Sequence, residues 1–160
     1  MTSLSATPAR AALWLNIIAA LGAAWNIFGL TQWVDFAFRT RSSLTMRGMS
    51  AAAADLYYGL PLWMTIAFAV GSGGGLIGCV GLILRRRWAV AVLAVSLGGY
   101  IALFAGDAIH GVFAAIPGQM AILSTVVAFA VGLLAVLGLL SVIETFEGHE
   151  AASVLLPLVR

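Results

Sequence analysis

Two small constellations in this chain have residue types and spacings that could do chemistry. Asp107 and His110 are three residues apart, so on a helix they stack on one side, where a carboxylate and an imidazole can pass a proton or hold a cation. Ser96, Gly99 and Leu103 lead up to His110 on the same face and sketch a thin polar path. The opposing reading is an ordinary solvated pair at a helix end, worth about 0–1 kcal/mol. The second constellation is Gly22, Asn26, Gly29 and Trp33, which share one helix face at i, i+4, i+7 and i+11. An amide in apolar surroundings needs a partner, so Asn26 is either structural glue, at about 0.6 kcal/mol per bond, or a hold on a polar ligand. Asn16, further towards the N-terminus, reads as a satisfied interfacial residue.

Other chemistries find no footing. Cys79 is the single cysteine, which excludes an internal disulfide and a CxxC redox pair. A haem between helices wants two facing histidines, and the second histidine, His149, falls in the tail, which leaves only a single axial His110 for a chlorin or haem near the surface. No serine, cysteine or carboxylate is spaced with a base as nucleophilic catalysis requires. The expectation is a protein that is not an enzyme, with no cofactor and no metal. One binding alternative stays open, a quinone, pigment or lipid against Trp25, Phe28 and Tyr100.

These residues must be positioned by helices in a membrane. The chain has 160 residues, of which 62% are hydrophobic and 9% charged, and its mean hydropathy is +1.08. That leaves too few polar groups to cover a water-facing surface. A net charge of +2 is too small for a nucleic-acid footprint. A span needs roughly 20 apolar residues. Four stretches qualify, about 11–34, 61–84, 88–106 and 119–143, and none contains Asp, Glu, Lys or Arg. Trp14, Trp33, Trp63 and Trp88 fall near their ends, at headgroup level; Trp25 alone sits mid-span. The first stretch is too long for a signal peptide's apolar region of about 7–15 residues, so it reads as a retained helix.

Orientation follows from arginine. Arg85, Arg86 and Arg87 make the short turn between spans two and three, and short basic loops stay cytoplasmic. Both termini are then cytoplasmic, with Arg10 and Arg160, against Arg39, Arg41 and Arg47 outside. The expected fold is all-α, one integral membrane four-helix bundle over residues 1–160. The first external connection should hold one short extra helix, capped by Ser50 and ended by Gly59, after a loop at Arg41-Ser42-Ser43. Pro61 suits the first position of span two. The tail, 144–160, is acidic at Glu144, Glu147 and Glu150, then apolar around Pro157, and is expected to lie on the membrane or on a partner.

Span two carries Gly71, Gly74, Gly75 and Gly78, the first two pairs of a small-residue surface spaced i,i+4 as Gly71/Gly75 and Gly74/Gly78. In lipid, helices associate through such surfaces because backbones can approach closely. The run follows no strand, so it is not a nucleotide loop. It either packs inside the bundle or docks another subunit.

The text from Trp25-Asn26 and Gly29 through Pro61, Trp63, Ala67-Phe68-Ala69 and the span-two glycines to Leu82-Ile83-Leu84-Arg85-Arg86-Arg87-Trp88-Ala89-Val90 and Val95-Ser96-Leu97 resembles a known family. It is similar to small four-helix bacterial membrane proteins often labelled "sugar transporter". The resemblance covers about half the chain and implies a bacterial inner-membrane location; it brings no binding residues with it. Three functions are therefore expected in order: a non-catalytic accessory subunit packing on a larger membrane complex or on itself, an oligomeric small-solute transporter using Asn26, Asn16, Ser96 and Asp107, and the lipid, quinone or pigment binder.

Overall fold

In a computed structural model the chain is helical throughout the residues described, 7–155, with side chains described for 13–135, 137 and 138. The elements are α1 (Thr7–Ala37), α2 (Arg41–Met46), α3 (Ala51–Tyr58), α4 (Leu62–Ile83), α5 (Trp88–Ile109), α6 (Val112–Ala115) and α7 (Gln119–Leu155). Three of them carry segments long and apolar enough to cross a membrane, Leu13–Ala37, Leu62–Ile83 and Trp88–Ile109. The described apolar stretch of α7 runs over Gln119–Ala135.

The outer surface differs from that of a water-soluble protein. The outward faces are apolar, with Leu21, Ile66, Val95 and Ile101 all more than half exposed. The middle layer of the interior is small or polar, with Ser72, Gly71, Gly75, Ser96, Gly99 and Asn26 buried between apolar residues such as Met64, Leu93 and Leu103. Lipid supplies no hydrophobic drive between helices, so contact between backbones has to supply the attraction. Helix α4 lies at the centre of this contact, antiparallel to α1 on one side and to α5 on the other. Gly22, Asn26 and Gly29 of α1 face Cys79, Gly75 and Ser72 of α4, while Gly71, Gly74 and Gly78 of α4 face Tyr100, Ser96 and Leu93 of α5. Backbone meets backbone at Gly99, where a Cβ would stand 2.7 Å from the Gly71 nitrogen and 2.8 Å from the Ala67 oxygen. The span-two glycines thus pack against the chain's own helices. Helix α7 packs on α5.

Two apolar clusters flank this layer. Towards the arginine turn they are Ala19, Cys79, Leu82, Ala89, Leu93 and Leu133. Towards the other end they are Phe36, Leu60, Met64, Ala67, Tyr100, Leu103, Val112 and Leu123.

Several local expectations need correction. The first connection holds two short helices, not one. Arg41-Ser42-Ser43 begins α2, because the Thr40 hydroxyl accepts from the Ser43 N–H at 3.1 Å while the Ser43 hydroxyl accepts from the Thr40 N–H at 3.0 Å. This is a reciprocal cap with serine doing what glutamate usually does. Ser50 caps α3 as expected, accepting from Ala53 at 3.2 Å. Pro61 is the residue before α4 rather than its first. Helix α5 runs past 106 to Ile109, and a further short helix, α6, occupies the next connection. The helix that begins at Gln119 does not end at 143 but continues through Glu144 to Leu155, so the first part of the tail is helical. Residues 156–160, including Pro157 and Arg160, lie outside the described residues, as do the side chains of Arg10, Glu144, Glu147, His149 and Glu150.

The first connection is anchored by Arg39. Its guanidinium donates to the carbonyls of Phe36 (2.5 Å), Tyr57 (2.7 Å) and Leu60 (3.1 Å), and its carbon sits 4.0 Å from the Phe36 ring centroid. Burial pulls this guanidinium below its ordinary pKa, while the neighbouring Tyr57 and Tyr58 push it back up. Two exposed ion pairs, Arg41–Asp55 and Arg47–Asp35, close the same region.

Candidate functional site

Asn26 is the polar centre of the helical core. It projects from α1 over Gly75, where any Cβ would overlap its carboxamide. Its Nδ2 donates to the Gly22 carbonyl at 2.8 Å, and its Oδ1 accepts from the Tyr100 hydroxyl at 3.0 Å. One layer away, Ser96 Oγ donates to the Gly71 carbonyl at 2.5 Å, and Ser72 Oγ to the Phe68 carbonyl at 2.8 Å. Each of these groups has a partner within the chain, so the arrangement ties α1, α4 and α5 together. The bond to Gly22 uses one of the two N–H groups of Asn26, and Asn26 and Ser96 both border the cavity described below. Asn16 is exposed on α1, away from this layer.

Asp107 and His110 both fall in the last turn of α5. Asp107 is buried at 2% exposure and accepts from Gln119 Nε2 of α7 at 3.2 Å. His110 ends α5, exposed, with its ring 6.5 Å from that of Trp63. No ion pair joins Asp107 and His110 among the described residues, and no group of three metal-ligating side chains occurs there. The His110 N–H still bonds the Gly106 carbonyl at 2.9 Å, so the residue closes the last turn of α5, one turn beyond Asp107.

What the sequence does not reveal is a groove. Among the described residues, α1 and α7 do not approach within 8 Å of each other at any Cα pair. The space between them is a cavity of about 310 Å³. Its walls are Leu21 and Trp25 of α1 and Val126, Phe129 and Leu133 of α7, and its floor is Cys79, Leu93, Asn26 and Tyr100. A second cavity of about 320 Å³ lies towards the Asp107 end, and Trp25, Tyr100 and Val126 border both. This second compartment is more polar, bordered by Gln32, Asp35, Arg47, Tyr57, Asp107 and Gln119. Trp25, Phe28 and Tyr100, singled out from sequence for an apolar ligand, line it; Phe28 lines the second compartment only. Tyr57 is pushed up to about 12, first by burial and then by the nearby Asp107 carboxylate, with Arg39 opposing.

Sequence reasoning passes over Gln119, Arg39 and the α7 wall. Gln119 has a signal, as the first residue after Pro117-Gly118 and the only carboxamide at that helix start. The α7 wall has none, because Val126, Phe129 and Leu133 read as any apolar span.

Comparison with known proteins places no relative beside the chain: no family model matches, and neither a curated protein nor a solved structure does.

Proposed function

We propose that this chain is a non-catalytic, multi-pass protein of the bacterial inner membrane that holds a hydrophobic, membrane-dissolved molecule between its first and last helices. On this reading α1, α4, α5 and α7 are four spans of one bundle, and the exposed Arg85-Arg86-Arg87 turn keeps that end and both termini in the cytoplasm. The observation that carries the proposal is the groove: a cavity of about 310 Å³ with apolar walls, open between two helices whose outer faces are themselves apolar. Its volume falls within the range of about 300–1,000 Å³ typical of small-molecule sites. A solute transporter needs unpaired polar groups along a path, and here Asn26, Ser96 and Tyr100 are bonded internally.

The test is purification in a mild detergent followed by extraction and mass spectrometry of bound lipids. A hydrophobic species retained by the native chain and lost from Ala130→Trp, which fills the groove, supports the reading. Identical lipid content in both would refute it.

A second reading, an accessory subunit seated on another membrane protein or on a second copy, draws on different glycines from those expected. Gly73, Gly98 and Gly132 face open space, leaving notches on the outer helix faces. A detergent-solubilised particle much larger than one chain would favour it.

A further inference from the structure

We infer that Arg86, Arg87 and Trp88, at the start of α5, form a binding site for the phosphodiester of an anionic membrane phospholipid. The described arginines divide by the end of the bundle they occupy. Arg39 spends its guanidinium on three carbonyls, Arg41 on Asp55 and Arg47 on Asp35. At the opposite end Arg85, Arg86 and Arg87 are exposed, and among the described residues their side chains make no hydrogen bond and no ion pair. The described carboxylates do not neutralise them, because Asp35, Asp55 and Asp107 all lie at the far end. The Arg85 N–H closes α4 on the Leu82 carbonyl at 2.9 Å, so that residue belongs to the end of α4. Arg86 and Arg87 lead into α5 instead. The Arg86 carbonyl accepts from the Ala89 N–H at 3.1 Å, and Arg87 is the residue before the first turn.

Depth selects a lipid over a water-borne acid. Helix α5 has 22 residues, about 33 Å at 1.5 Å each, against about 30 Å for the hydrocarbon core. With α5 spanning that core, its first residue stands at the boundary, and Arg86 and Arg87 fall in the headgroup layer with the phosphates. A guanidinium grips a phosphodiester through two parallel N–H bonds. Trp88 supplies another donor. Its ring lies over Gly81, where a Cβ would stand 2.8 Å from it, and it is 46% exposed. Its Nε1 has no acceptor among the described residues, whereas that of Trp33 donates to the Thr65 carbonyl at 2.9 Å. Ile83, Leu84 and Val90, beside the turn, are exposed and continue the apolar outer surface of the helices, so acyl chains cover what a water-borne partner would leave wet. Two cations without a neighbouring described carboxylate select a head of net negative charge, such as phosphatidylglycerol, over one whose phosphate already carries its own ammonium. None of these residues lines either cavity, so the site does not depend on what the groove holds.

The experiment uses the full chain in maltoside detergent and two lipids with identical dibrominated acyl chains, one with a phosphatidylglycerol head and one with a phosphatidylcholine head. Bromine quenches tryptophan on contact. Phosphatidylglycerol is expected to bind at least about tenfold more tightly at about 0.05 M salt, with the preference shrinking as salt rises to about 0.5 M. The quench that separates the two lipids should vanish in Trp88→Phe and persist in Trp25→Phe, which reports on the groove. Arg86→Gln/Arg87→Gln, with helicity checked by circular dichroism, should bring the two lipids to parity. Arg41→Gln, at the other end, should leave the preference intact. Equal affinity for the native chain, a preference insensitive to salt, one that survives Arg86→Gln/Arg87→Gln, or one lost equally in Arg41→Gln overturns the site. If the double glutamine variant loses its helicity, the salt dependence and Trp88→Phe decide. Displacement of phosphatidylglycerol by inorganic phosphate at constant ionic strength overturns the lipid assignment in favour of a soluble anion. A preference that appears only in Glu144→Gln/Glu147→Gln/Glu150→Gln overturns it in favour of the chain's own acidic tail.

Discussion

Tyr100 shows how much one hydroxyl can hold in a core that has little else polar. Its O–H satisfies Asn26 Oδ1 at 3.0 Å, and its ring fills the notch above Gly71. Tyr100→Phe keeps the ring and strands the amide oxygen over Gly75. Bonds of this kind average about 0.6 kcal/mol in membrane proteins, but an acceptor left sealed from water costs more, so a loss of about 1–2 kcal/mol is expected in denaturation by sodium dodecyl sulfate. Tyr58→Phe, at an exposed site, should stay within about 0.5 kcal/mol. Tyr57 gives a second measurement at this scale. Its phenolate absorbance should appear with a midpoint at about 12, against about 10 for free tyrosine. The sign follows from linkage: the folded state holds the neutral phenol, so its contribution is intact below pH about 10 and is lost as pH rises from there through about 12. A midpoint at the free value would remove the burial argument for the second compartment.

At the scale of elements, glycines divide into those under a neighbour and those under nothing. Gly99→Ala drives a methyl into the α4 backbone, which has no rotamer to yield; a destabilisation of about 1–3 kcal/mol or more is expected. Gly73→Ala meets open space and should gain about 0.5–1 kcal/mol from helix propensity alone. Thermal shift of the two variants in one detergent checks the contrast. The sequence carries the first half of this division. The spacing of Gly71/Gly75 and Gly74/Gly78 marks α4 as a packing helix, though Gly75 meets α1 while Gly71, Gly74 and Gly78 meet α5, and charge-free runs locate α1, α4 and α5, because both signals are local. Which partner the face meets is not local, and here it is the chain itself. The α2 helix escapes sequence reading for another reason. Its cap pairs Thr40 with Ser43, and a serine in the third position lacks the acidic signature that marks such starts. Asp107 is legible as unusual, yet its partner Gln119 lies across a connection whose geometry depends on Gly111 and Gly118, both at positive φ.

At the scale of the whole molecule, the separation of α1 from α7 follows from where each helix finds close contact. Helix α1 packs closely along α4 and α7 along α5, while the two outer helices come together only through side chains of the apolar clusters, Ala19 and Leu133 in one and Phe36 and Leu123 in the other. No single segment encodes that gap, which is why the groove is absent from any reading of spans one at a time. The proposed orientation can be checked by cysteine labelling. Cys79 is buried, so the native chain should resist an impermeant maleimide. Arg86→Cys in intact cells should stay unlabelled until the inner membrane is opened, whereas Ser42→Cys should label from outside. The reverse pattern would invert the bundle.

The turn between α4 and α5 carries one more consequence. Arg85 is the only non-glycine among the described residues with positive φ, at 53°, and its neighbour's N–H closes the helix end on the Gly81 carbonyl at 2.8 Å. A left-handed arginine costs about 1–2 kcal/mol that glycine would not. Arg85→Gly should therefore give a tougher folded protein and, under the proposed orientation, a weaker instruction to the insertion machinery during synthesis, with more chains entering the bilayer the wrong way round. The strained arginine would then be a device for biogenesis, working once while the nascent chain threads into lipid and carried afterwards as a standing cost to the mature fold.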